Sequence, residues 1–166
     1  MPAMFNLPPL PAWDAIHPII VHFPIALLAV APLFVLLALF PRPWGRAFAL
    51  AAMVLIVLGT SGTWLAVASG EETEHSITIP EASDPIVHEH EEQGELARNL
   101  FTGLAAVFAV WTLIIATFVK KPRMGIIDRV FLVIYLLLHL AALTVLLNAA
   151  SIGGRLVHVH GLHAPM

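Results

Sequence analysis

The chain lacks cysteine altogether among its 166 residues. This absence excludes disulfide bonds, thiolate metal ligands, covalently attached c-type haem and a thiol nucleophile. A bound metal ion or haem therefore depends on histidine, carboxylate or methionine side chains. Charged residues are also few, at 11% of the chain, and they form no basic patch or nucleic-acid-binding motif, so no nucleic acid partner is expected.

Apolar residues dominate the chain instead, at 59% of its length, a share well above that of soluble domains. A helix needs about 20 apolar residues to cross a hydrocarbon core of about 30 Å. The apolar runs therefore predict four transmembrane helices in a single membrane domain, residues 1–166, surrounded by the lipid bilayer. The predicted spans are residues 16–40, 47–69, 85–119 and 126–158, with an acidic loop at 70–84.

The loops after the first span and after the third span are short, which favours antiparallel neighbours. The predicted fold is therefore all-α, an integral membrane bundle of four antiparallel transmembrane helices. Gly59 and Gly62 in the second span predict close helix packing, because small residues let helix backbones approach each other.

Basic residues lie mostly in or beside these two short loops. Six of the eight are there: Arg42, Arg46, Lys120, Lys121, Arg123 and Arg129. The positive-inside rule predicts that this side is cytoplasmic. Both termini and the acidic loop then face the periplasm or the cell exterior, together with every histidine except His139.

The first span begins with the segment HPIIVHFP, which contains His17 and His22. Five positions correspond to about 140° of rotation on an ideal helix, so the two side chains do not share a face. An ionisable residue inside a span is costly and normally faces protein or water, which makes His22 a candidate functional residue. A bend at Pro18 and Pro24 would let both histidines bind one ion, and an equal alternative has His17 at the interface and His22 facing the bundle.

The segment VHEHEEQGE opens the third span with the densest chemistry of the chain. On a helix, His88 reaches Glu91 and Glu92 at i+3 and i+4, where two side chains converge on one ion or proton. His90 points nearly the other way. A solvated acidic helix start is the structural alternative.

Two further groups of polar residues lie near the same ends of the predicted spans. Glu71 has the same i+3 and i+4 spacing to Glu74 and His75 if the second helix continues past Gly70. His158 and His160 alternate near the C-terminus, where solvated histidines are the alternative. His139 lies deep in the fourth span, and we expect it to bond to a neighbouring helix, with a buried haem ligand as the second interpretation.

Four strings of this sequence resemble one family of bacterial membrane proteins, domain-of-unknown-function family 2231. They are HPIIVHFPIALL, SGEE after the second span, HEHEEQGE before the third, and IGGRLVHVHG near the end. The resemblance extends from His17 to Gly161, and the HPxxVHFPIAL string is its most specific part. It implies a multi-pass protein of the bacterial inner membrane and relatives that occur alongside redox modules, but no established reaction.

The resemblance also implies that four histidines bind haem or metal: His17, His22, His88 and His160. Our first hypothesis is noncovalent b-type haem, with His22 and either His88 or His160 as axial ligands, in a protein that passes electrons to other membrane redox subunits. The second is a zinc, copper or iron site, with hydrolysis as a possible activity, built from His17, His22, His88, Glu92 and Glu71. The third is an accessory subunit whose polar cap binds no cofactor.

The charge distribution generates a prediction about topology. Reporter fusions after the C-terminus should be active only as periplasmic reporters, and fusions in the loop at 41–46 only as cytoplasmic reporters, because the basic loops are retained in the cytoplasm. A cytoplasmic C-terminus would contradict this orientation.

Overall fold

The computed structural model of the protein describes residues 12–40, 44–117 and 125–162, and every regular element within them is helical. A short 3-10 turn at Trp13–Ala15 precedes five α-helices. These are α1 His17–Ile20, α2 His22–Leu39, α3 Gly45–Ser76, α4 Asp84–Thr117 and α5 Ile126–His158. Val21 separates α1 from α2 but keeps helical backbone angles, so the two run on as one long helix.

The predicted all-α bundle of four membrane-spanning helices is confirmed. Four helices are long and apolar enough to cross a bilayer: His17–Leu39, Gly45–Ser76, Asp84–Thr117 and Ile126–His158. The basic residues of the two short loops at 41–43 and 118–124 lie outside the described residues, and the sidedness of the bundle stays a prediction.

The helices form a square in which each contacts two neighbours. α2 packs against α3 and α5, and α4 packs against the same two helices, so α2 and α4 lie diagonally opposite each other. The core between them is filled by small and aromatic side chains, and the rings of Phe108 and Tyr135 stand 4.4 Å apart. Other fully buried core residues are Ala31, Val35, Ala52, Ile56 and Leu132.

The glycines of α3 set the distance between α3 and α2. A Cβ atom on Gly59 would stand 2.7 Å from Cγ of the fully buried Leu28, and one on Gly62 would stand 3.1 Å from Pro24. These separations are shorter than a normal van der Waals contact. The close packing predicted for these glycines is therefore present.

α3 continues seven residues past Ser69, through a stretch that the sequence assigns to the acidic loop. The extension is tied to the chain start, because the Thr73 hydroxyl lies 2.7 Å from the carbonyl oxygen of Asp14 and 2.8 Å from that of Ser69. Polarity is the reason for the difference. The residues are too polar for lipid, but a helix can continue into water.

Trp64 and Arg98 indicate where the hydrocarbon core ends at this end of the bundle. Trp64 Nε1 donates to the Thr102 hydroxyl at 3.0 Å, and the Arg98 guanidinium lies 4.7 Å above the Trp64 ring. Both side chain types favour the membrane–water boundary. The 20 residues from Gly45 to Trp64 span about 30 Å at about 1.5 Å per residue, which matches the thickness of the core. We therefore expect the helix ends beyond Trp64 to extend out of the hydrocarbon.

Valine at position 59 should destabilise the bundle, because its side chain would collide with buried Leu28. We expect Gly59→Val to lower the free energy of unfolding by about 1–3 kcal/mol, measured by denaturant titration in detergent. The matched control is Gly103→Val, since a Cβ at exposed Gly103 has no atom within 4 Å. Equal losses for both variants would contradict the close approach of α2 to α3.

Candidate functional site

A cavity of about 510 Å³ opens at the end of the bundle that extends beyond Trp64. All four long helices contribute to it, together with the connection between α3 and α4. Its walls are mainly apolar side chains such as Ile25, Val67, Leu146 and Val157. The ionisable residues that line it are His17, His22, Glu71, Glu74, His90, Glu91 and His158.

His17 lies at the start of α1 with its ring against α3. Its Nδ1 atom is 2.9 Å from the carbonyl oxygen of Ala66 and 3.1 Å from the hydroxyl of Ser69. A carbonyl only accepts, so Nδ1 carries the proton and donates it, and the neutral ring keeps its lone pair at Nε2. Gly70 leaves room for the ring, because a Cβ there would stand 3.1 Å from Cε1 of His17.

His90 on α4 repeats this arrangement against α5. Its Nδ1 atom donates to the carbonyl oxygen of Ala149 at 2.9 Å, which again leaves the lone pair of the neutral ring at Nε2. A Cβ at Gly153 would lie only 2.8 Å from Cε1 of His90. The ring can occupy this position because residue 153 has no side chain.

The two rings approach each other across the diagonal of the bundle. Their centres are 6.2 Å apart and their planes are nearly perpendicular, at 86°. Both rings are partly buried and line the cavity. The arrangement therefore presents two oriented imidazoles, each held by a backbone carbonyl of an adjacent helix.

The family described as "Predicted membrane protein (DUF2231)" matches residues 13–165. The chain belongs to the DUF2231 family. No curated protein and no solved structure matches it. The match includes all four long helices and both members of the histidine pair, so this cavity is part of the DUF2231 domain.

The other predicted site residues of this DUF2231 protein divide into two groups. His22 and Glu71 are exposed residues that line the cavity, and His22 Nδ1 donates to the carbonyl oxygen of Pro18 at 2.6 Å. His88, Glu92 and His160 are not among the lining residues.

The side chain of His88 is 69% exposed and lies 3.7 Å from Glu91 and 3.3 Å from Glu92. These are the contacts that the i+3 and i+4 spacing predicts, and they lie on an exposed face of the helix. Across residues 12–40, 44–117 and 125–162, no group of three or more histidine or acidic side chains is placed to hold a metal ion. Whether any predicted residue binds a cofactor stays a prediction.

The orientation of the first two histidines differs from the arrangement in which His17 lies at the interface and His22 faces the bundle. His17 is the residue that faces the bundle, because its ring packs over Gly70 and bonds to α3. The rotation of about 140° between the two positions turns His22 away from α3 and leaves it exposed at the edge of the cavity. The spacing alone does not predict which of the two rings faces the bundle, since it sets only the angle between them.

The sequence pattern does not predict His90 as a site residue, because of the two histidines in this segment only His88 has carboxylates at i+3 and i+4. A different signal identifies it. The buried face of α4 includes Ala97 and Phe101, and the same 4-3-4 spacing extended backwards reaches Gly94 and then His90. His90 therefore continues the core-facing stripe of its helix.

His139 has the hydrogen bond to a neighbouring helix that we expected. It is fully buried, and its Nε2 atom lies 2.9 Å from the carbonyl oxygen of Leu28 on α2. Its ring packs edge-on against Phe101, with centres 5.2 Å apart. His139 is not among the residues that line the cavity.

The hydrogen bonds of the pair predict an unusual tautomer for both rings. In ¹⁵N-histidine NMR spectra, His17 and His90 should be protonated at Nδ1, whereas free histidine in water favours the Nε2–H form. Gly153→Ala should shift the His90 signals, because the new methyl group displaces the ring. Gly154→Ala is the control, since a Cβ there has no atom within 4 Å. Nε2–H tautomers at both positions would contradict the geometry.

Proposed function

We propose that the histidine pair binds b-type haem noncovalently, with His17 and His90 as axial ligands, and that the protein transfers electrons within the membrane. The observation that supports this most is the pair of inward-facing imidazoles, each with Nδ1 bonded to a backbone carbonyl. Metal-binding histidines typically donate their other N–H to a carbonyl or carboxylate. That bond fixes the ring and makes Nε2 more basic.

The separation of the rings fits two ligands on one metal atom. Imidazoles bound at about 2 Å from a shared metal have ring centres about 5–6.5 Å apart, and His17 and His90 are 6.2 Å apart. Their origin on diagonal helices agrees with cofactor sites in other four-helix bundles, which lie between facing helices.

The number of ligands favours haem over a bare metal ion. Haem carries its own four in-plane nitrogen ligands and needs only axial ligands from the protein. A zinc ion normally takes three or four protein ligands, and no such group occurs in the described part of the chain. The alternative site of His17, His22, Glu71, His88 and Glu92 would require His88 and Glu92 to leave the outer face of α4.

The cavity suits an apolar cofactor in both size and chemistry. Its volume of about 510 Å³ falls within the range of about 300–1,000 Å³ typical of ligand pockets. Haem, when bound, supplies one-electron redox chemistry. The protein's own part is to orient the two imidazoles and to surround the site with apolar side chains, which together tune the reduction potential.

A membrane location completes the proposal. Electrons would be exchanged with other redox subunits of the bacterial inner membrane. Such subunits could reach the cavity, because this end of the bundle extends beyond Trp64.

Optical spectra of the protein purified in mild detergent test the proposal. The reduced-minus-oxidised spectrum should show a Soret band and an α-band. The His17→Ala and His90→Ala variants should each lose most of the bound haem. His88→Ala should keep full occupancy, since His88 points away from the cavity. The oxidised protein should give the strongly anisotropic low-spin EPR signal of perpendicular axial imidazoles.

Three results would contradict the proposal. Metal in elemental analysis without haem bands would favour the ion site. Folded protein that takes up neither haem nor metal on reconstitution would favour a cofactor-free accessory subunit. Equal loss of haem in His88→Ala and His17→Ala would remove the assigned pair.

A further inference from the structure

Ser69 occupies the position beneath His17 on α3 and is fully buried. Its hydroxyl donates to the carbonyl oxygen of Ala66 at 3.0 Å. A hydroxyl has only one proton, so toward His17 Nδ1, 3.1 Å away, the Ser69 oxygen can act only as an acceptor. The N–H of His17 is therefore shared between two acceptors, the Ala66 carbonyl and the Ser69 hydroxyl.

The two histidines of the pair are unequal in this respect. Among the described residues, His90 Nδ1 has one acceptor, the carbonyl oxygen of Ala149. Both rings pack over a glycine and both bond to a carbonyl, so the Ser69 hydroxyl distinguishes the Nδ1 hydrogen bonding of the two rings. The side chain at position 69 thus contacts one histidine of the pair and not the other.

The chain segment that leads to His17 is attached to the same part of α3. The Thr73 hydroxyl, one turn beyond Ser69, lies 2.7 Å from the carbonyl oxygen of Asp14. His17 is therefore fixed at two points, by its ring at Ser69 and by the preceding turn at Thr73. Its ring has little freedom to rotate away from the cavity.

We propose that Ser69 is a positioning residue that holds His17 with Nε2 toward the cavity and makes it the stronger ligand of the pair. This inference rests on the proposed haem site. A second acceptor draws the Nδ1 proton further from the ring and raises the electron density at Nε2. A more electron-rich axial imidazole stabilises the oxidised iron, so Ser69 lowers the reduction potential.

The test compares Ser69→Ala with Ser61→Ala. Ser69→Ala removes one oxygen and keeps the buried Cβ. Ser61 lies on the same helix, is exposed, and bonds only to its own helix, at the carbonyl oxygen of Val57 2.9 Å away. Any general effect of losing a helix hydroxyl appears in both variants, whereas an effect on His17 appears only in Ser69→Ala.

Two measurements are made on each variant. In apo protein, the ¹⁵N and ¹H shifts of His17 Nδ1 should change in Ser69→Ala and stay constant in Ser61→Ala. In the haem-loaded protein, Ser69→Ala should bind haem about 10-fold more weakly and show a higher midpoint potential, and Ser61→Ala should match the wild type.

The outcomes separate this inference from the proposed function. Wild-type protein that binds no haem overturns the proposed function, and the positioning role is then decided by the His17 shifts alone. Unchanged His17 shifts in Ser69→Ala overturn the positioning role, even where haem binds normally. Changed shifts with an unchanged potential and affinity overturn the claim that Ser69 strengthens His17 as a ligand.

Discussion

The bonds from imidazole N–H groups to helix carbonyls are the interactions on which the candidate site depends. Each bond joins two helices, because His17 on α1 reaches α3 and His90 on α4 reaches α5. In each case the acceptor belongs to a helix backbone, which moves little compared with a side chain. Ring orientation, tautomer and separation all follow from this choice of acceptor.

Small residues make these bonds geometrically feasible. The α-carbon hydrogens of Gly70 and Gly153 leave space where a methyl group would meet the histidine rings. The same device sets the packing further down the bundle, where Gly59 accommodates Leu28. Close helix approach and histidine placement therefore both result from glycine residues at specific positions in the helices.

Much of the architecture follows from the sequence, since long apolar runs and short loops leave few arrangements other than an antiparallel helical bundle. The location of the site at one end also follows, because the histidines cluster at the same ends of the spans. The choice between His17 and His22, and between His88 and His90, does not follow in the same way. It depends on the rotation of each helix about its axis, which is set by contacts with Gly70 and Gly153 on other helices. The length of α3 beyond Ser69 does not follow either, because a polar stretch after a span can form a loop or continue the helix into water.

The diagonal position of the pair has a thermodynamic consequence. Within the described residues, α3 and α5 are the shared neighbours of α4 and of the continuous helix formed by α1 and α2, while the two rings stand 6.2 Å apart across this diagonal. A ligand that binds both rings would act as a direct crosslink between these helices. Since such a ligand requires both helices in place, it binds the folded chain in preference to the unfolded one. The stability of the bundle then increases with the logarithm of the ligand concentration, so supply of the ligand in the cell would control how much of the protein persists.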